Sequence, residues 1–101
     1  MTIATRLEQY TLKRPGEVLL VSVAIATESG QEPDQIVIFK GFSSSLMRPT
    51  EYDPDVPVLP ADAEILTIDR LHGPYNPDAP RYIQQGLTWD DMQSLLAEVG
   101  L

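Results

Sequence analysis

The stretch from Lys40 to Thr50, Lys-Gly-Phe-Ser-Ser-Ser-Leu-Met-Arg-Pro-Thr, sets three hydroxyls, Ser43, Ser44 and Ser45, between two cations, Lys40 and Arg48. Hydroxyls and backbone amides at a corner after a strand can hold an anion, and Lys and Arg supply the charge. The same residues also fit a turn closed by serines, with Lys40 and Arg48 paired to nearby acids. A second cluster runs Asp69-Arg70-Leu71-His72-Gly73-Pro74-Tyr75-Asn76-Pro77. Proton transfer near neutral pH would fall to His72, with Asp69 or Tyr75 beside it. The plainer reading makes Asp69 and Arg70 ion-pair partners, the Gly-Pro-Tyr-Asn-Pro run a turn, and Tyr75 a cover for the edge of the core. Glu51, Asp53 and Asp55 alternate as calcium ligands do, but the run has neither the central Gly nor the distal Glu of a calcium loop, and Pro54 interrupts it. No catalytic residue, metal site or cofactor site is expected from these clusters.

Composition narrows the chemistry further. The chain has 101 residues, no Cys and one His. Thiolate nucleophiles, disulfides, Cys-ligated metals and sites needing two imidazoles are excluded. There is no Gly-rich phosphate loop and no Gly-x-Ser-x-Gly elbow, so composition disfavours catalysis. Fifteen acidic residues against seven basic ones give a net charge of −8. Non-specific binding to nucleic acid or to an anionic membrane rests on Lys and Arg charge, and neither is expected. No apolar run approaches a membrane span, and the first residues have no apolar core of a signal peptide. The length fits one domain, residues 1–101.

The elements that position these clusters follow from periodicity and punctuation. Residues 5–13 read as a short helix, with Thr5 and Glu8 at capping-box spacing and Ile3, Leu7 and Tyr10 on one stripe. Pro15-Gly16 ends it. Residues 17–27 form the clearest strand, apolar on both faces, as a central strand is. The polar segment 28–34 reads as a hairpin loop, and 35–42 as a second strand pairing antiparallel with the first. Four prolines at 49, 54, 57 and 60 make that stretch a Pro-rich loop. Residues 63–71 form a third strand. Asp78 to Gly86 reads as one or two helical turns, capped by Asp78 and stopped by Gly86. The final helix spans 89–99, with Thr88 to Asp91 as its cap and Trp89, Met92, Leu95, Leu96 and Val99 on its apolar face. The expected fold is α+β: a three-stranded antiparallel sheet, able to curl toward a small barrel, packed by N- and C-terminal helices.

The segments Val37–Leu46, Arg48-Pro-Thr50, Val58-Leu-Pro60, Ile68-Asp-Arg70, Gly73–Pro77 and Gly86-Leu-Thr-Trp89 together resemble a small uncharacterised protein family of cyanobacteria and plant chloroplasts, a domain of unknown function. The resemblance transfers no catalytic residue. It implies a setting, the cytoplasm of a photosynthetic bacterium or the chloroplast stroma in plant relatives.

Three functional readings follow. The first is a non-catalytic protein-interaction or assembly module that docks another protein through loops 41–60 and 72–82. Phe42, Arg48, Tyr52, Tyr75, Arg81 and Tyr82 there are residue types that dominate binding energy at interfaces. The second is a binder of a small anionic, phosphate-bearing ligand at 40–50, with Arg70 assisting. The third is a small enzyme using His72. The candidate surface is Lys40, Phe42, Ser43, Ser44, Ser45, Arg48, Arg70, His72, Tyr75 and Arg81. Loops 41–50 and 70–77 are expected to meet at one end of the sheet and form the functional surface; loops at opposite ends would confine the anion site to 40–50 and favour the first reading. Direct antiparallel pairing of the second and third strands would separate them by about 20 Å, a six-residue strand length, so a meeting requires those two strands to run in the same direction or the long Ser loop to fold over the sheet.

Overall fold

The computed structural model describes residues 2–47, 58–60 and 62–101. Along the chain these form α1 (Ile3–Lys13), β1 (Glu17–Thr27), β2 (Gly30–Phe39), β3 (Phe42–Ser45), β4 (Glu64–His72), β5 (Tyr82–Leu87) and α2 (Trp89–Glu98). All strand pairings are antiparallel, in the order β3-β2-β1-β4-β5. The class is α+β as expected, but the sheet has five strands rather than three, and it is open rather than curled into a barrel. Residues 48–57, with Arg48, Tyr52, the acidic alternation at 51–55 and all of the Pro-rich run but its last three residues, lie outside the described residues.

Strand β1 is central because its alternate residues are apolar on both faces. Leu19, Val21, Val23 and Ile25 join Ile36 and Ile38 of β2 and Ile68 of β4 in the main core, capped by Leu7 and Tyr10 of α1 and Met92 and Leu96 of α2. On the opposite face Val18 and Leu20 join Leu71 in a smaller cluster, with Val37, Phe39 and Tyr75 packed against it. The main core holds the two helices on one side of the sheet. The smaller cluster lies on the other side, where no described helix packs.

Several local expectations need correction. The N-cap of α1 is Thr2, whose hydroxyl accepts the Thr5 N–H at 3.1 Å, so the helix begins one turn before the Thr5–Glu8 box. The 28–34 segment is not a long loop: the register already pairs Thr27 with Gly30, and β2 runs on through Pro33 opposite Ala24. Proline is tolerated there because β3 reaches back only to Ile36, leaving the first half of β2 as an edge. Ser43 to Ser45 are strand, not corner. Most consequentially, 82–87 is strand β5 and not helix. Tyr82 and Ile83 favour a pleated surface, and β4 offers a free edge to pair with. Gly86 does take a positive φ of 70°, as expected, but it serves a strand irregularity, with its N–H donated to Asp69 Oδ1 at 2.8 Å. The C-terminal helix is as read. Thr88 accepts the Asp91 N–H and Asp91 accepts the Thr88 N–H, a complete capping box.

Among the described residues, no helix is long and apolar enough to cross a membrane.

Candidate functional site

Strands β2 and β4 do not pair; β1 lies between them and antiparallel to both. They therefore run in the same direction and finish at the same end of the sheet. The β2–β3 turn at Lys40-Gly41 and the β4–β5 connection at 73–81 share that end. Contacts confirm it. The Gly73 N–H donates to the Gly16 carbonyl at 2.8 Å, and a Cβ placed on Gly73 would stand 2.7 Å from the Phe39 ring. The Gly41 N–H donates to the Thr11 hydroxyl at 2.9 Å, tying the turn to the last turn of α1.

The turn itself is built by two left-handed residues, Lys40 at φ 49° and Gly41 at φ 84°. This is the tight two-residue hairpin connection whose backbone twist matches the strands. A Cβ at Gly41 would also press within 3.1 Å of the Leu12 side chain. Gly41→Ala is expected to lower stability by ~1 kcal/mol or more, read as a shift in the urea midpoint.

The positions of the predicted residues divide sharply. Lys40 is exposed, and its ammonium lies 5.2 Å from the centre of the Phe39 ring. Phe42 stands opposite Phe39 in the register and is 79% exposed. His72 ends β4 with an exposed side chain, and its N–H donates to the Arg81 carbonyl at 2.8 Å. Arg81 reaches the Gly73 carbonyl at 3.3 Å. Tyr75 packs on the Val18–Leu20–Leu71 cluster. The three serines do not converge. Strand alternation turns Ser43 and Ser45 toward the helix face and Ser44 toward the other. The Ser43 hydroxyl donates to Glu8 at 2.7 Å, and the Ser45 hydroxyl lies 2.8–2.9 Å from both oxygens of the buried Asp34 carboxylate.

Arg70 is held within the fold. Its Nε and Nη2 donate to the two oxygens of Glu17 at 2.8 and 3.1 Å, and Nη1 donates to Gln84. The Tyr10 hydroxyl donates to the same Glu17 Oε1 at 2.8 Å. Burial alone would raise the Glu17 carboxyl, but the guanidinium and the phenol override it and hold it below the usual carboxylate range. Burial and the bond to Glu17 push Tyr10 up to about 12. The bond to Glu17 raises Arg70 in turn. No hydrogen bond among the described residues joins His72 to Asp69 or Tyr75, and none of their clusters could hold a metal ion.

Charge is segregated along the strands. Five of the seven cations, Lys13, Arg14, Lys40, Arg70 and Arg81, gather at this end with His72, against Glu17 and Asp78. The opposite end carries Glu28 in the β1–β2 turn, Glu32 opposite Ile25, and Glu64 opposite Ala24. Spacing in the sequence hides this, because the cations lie on four separate elements. The Asp34–Ser45 and Glu17–Arg70–Tyr10 contacts were equally hidden; only the register of the strands reveals them.

The family model for a domain of unknown function (DUF7734) matches residues 4–96, and the chain belongs to that family. No curated protein matches the chain, and neither does any solved structure.

Proposed function

We propose that the protein is a non-catalytic interaction module that docks an acidic segment of another protein at the basic end of its sheet. The observation that carries this reading is the sheet face beside that end, on which no described helix packs. Phe42 at 79% and Tyr82 at 41% exposure flank partly buried Val37, Phe39 and Tyr75 on the side away from both helices. Large aromatic groups ringed by cations are the composition that anchors interfaces, with the charges steering encounter. The setting implied by the sequence resemblance, a photosynthetic cell, goes with this reading. A small anionic ligand at 40–50 is the weaker alternative, since the Ser43 and Ser45 hydroxyls already donate to Glu8 and Asp34.

The test is site-specific photo-crosslinking in native extract. A crosslinker at Phe42 or Tyr82 is expected to capture one defined partner, whereas the same group at Glu98, on α2, captures none. The K40E/R81E double variant is expected to lose at least tenfold in affinity for that partner, and added salt to weaken the wild-type complex. Equal capture from Glu98, or an affinity unchanged by the double variant, would refute the reading.

A further inference from the structure

On the opposite side of the sheet, an open-mouthed cavity of about 380 Å³ lies between the first turns of α1, strand β3 and the segment leading into β4. Ile3, Ala4, Val58, Leu59, Ala63 and Ile65 make its walls apolar. Thr5, Glu8 and Ser43 supply the polar groups. That size and that mixture, mostly apolar with a few convergent polar atoms, are those of a small-molecule site. Among the described residues, Glu8 is the one charged side chain in the lining, and no cation lines the cavity. Ser43 donates to Glu8 Oε2 at 2.7 Å, leaving Oε1 as an acceptor without a described partner. The helix end does not reverse the sign. The Thr2 hydroxyl takes the Thr5 N–H at 3.1 Å, and the first-turn N–H groups of Ile3 and Ala4 carry about half a positive charge, less than the full charge of the Glu8 carboxylate.

We propose that this cavity binds a small amphiphile with an amine head, its ammonium on Glu8 and its aliphatic or aromatic body on the Ile3–Ala63–Ile65 wall. The carboxylate selects a cation because a charge-assisted hydrogen bond is about twice as strong as a neutral one, and a carboxylate head would face Glu8 with like charge. The cavity lies on the helix side of the sheet and its rim reaches Gly41 and Phe42 at the basic end, but its chemistry does not depend on the docking role.

The test titrates the full chain with hexylamine, hexanol and hexanoate, following backbone amide signals. Saturable shifts confined to Ile3, Ala4, Ala63 and Ile65 are expected with hexylamine, roughly tenfold weaker binding with hexanol, and none with hexanoate. Glu8→Gln is expected to bring hexylamine down to the level of hexanol. Glu98→Gln, with the same change in net charge, leaves hexylamine unaffected. Shifts scattered over Asp90 and Glu98, the absence of saturation with hexylamine, or equal binding of hexanoate would each overturn the proposal. The three-probe comparison on the wild-type chain decides it even if Glu8→Gln fails to fold.

Discussion

Met92→Ala is expected to cost 2–5 kcal/mol, and Trp89→Ala only about 1–2, although the indole is the larger group. The reason lies in where α2 meets the sheet. Met92 and Leu96 are fully buried between the helix and the strands, and truncating Met92 leaves a cavity that fixed neighbours cannot fill. Trp89 is the first helical residue. It is only partly buried at the margin of the core, with the Arg6 guanidinium 5.6 Å from its ring centre. Arg6 also donates to the Leu101 carbonyl at 2.9 Å, so the ring forms a lid between the two helices rather than a plug in the core. Losing half-buried apolar area costs in proportion to the area returned to water. Urea denaturation of both variants checks the order. If Trp89→Ala proves the more damaging, the indole and not Met92 anchors the helix.

The same helix shows what was legible in the sequence. Its apolar stripe and its Thr88–Asp91 box are local patterns, and both are present in the fold. Strand β1 was legible for a similar reason, since apolar residues on both faces require a central place. Strand β5 was not. Asp78, Pro80 and Gly86 carry helix punctuation, and what overrides them is the free edge of β4, a partner that no local window contains. The serines of β3 failed the same way. A Ser-rich run reads as a turn until a hairpin of two left-handed residues delivers it to the edge of β2. That loops 41–50 and 70–77 share an end was anticipated only on a condition, that two strands run in the same direction or that the Ser loop folds over the sheet. The inserted position of β1 meets that condition, and the sheet order is a property of the whole chain.

Arg70→Ala is expected to cost about 2–4 kcal/mol at neutral pH and to change the pH dependence of stability at the acid end. Arg70 and Glu17 are only 16% and 14% exposed, and the guanidinium grips both carboxylate oxygens. Removing it leaves Glu17 largely buried, with the Tyr10 hydroxyl as its remaining hydrogen-bond donor, and such a stranded charge is more costly than the pair was worth. The wild-type Glu17 carboxyl is held below its ordinary value of 4.5 in the folded state. Its stabilisation is therefore present above that value and is lost as pH falls through the depressed folded value. In Arg70→Ala the acid loss shrinks, because the carboxylate no longer prefers its charged form. At the alkaline end the sign is opposite. Tyr10 is raised to about 12 from 10.0, so its contribution is full below pH 10.0 and disappears as pH climbs toward 12. Two pH units correspond to roughly 2–3 kcal/mol. Tyr10→Phe removes that alkaline loss while costing about 1 kcal/mol at pH 7. A series of urea midpoints from pH 3 to pH 12 on the wild type and both variants reads both limbs. An acid limb unchanged by Arg70→Ala would mean that the pair does not set the ionisation of Glu17. An alkaline limb unchanged by Tyr10→Phe would mean that another group titrates there. The acid-limb outcome also bears on the docking surface, because it tests whether the Glu17 pair commits Arg70 to the fold rather than to a partner.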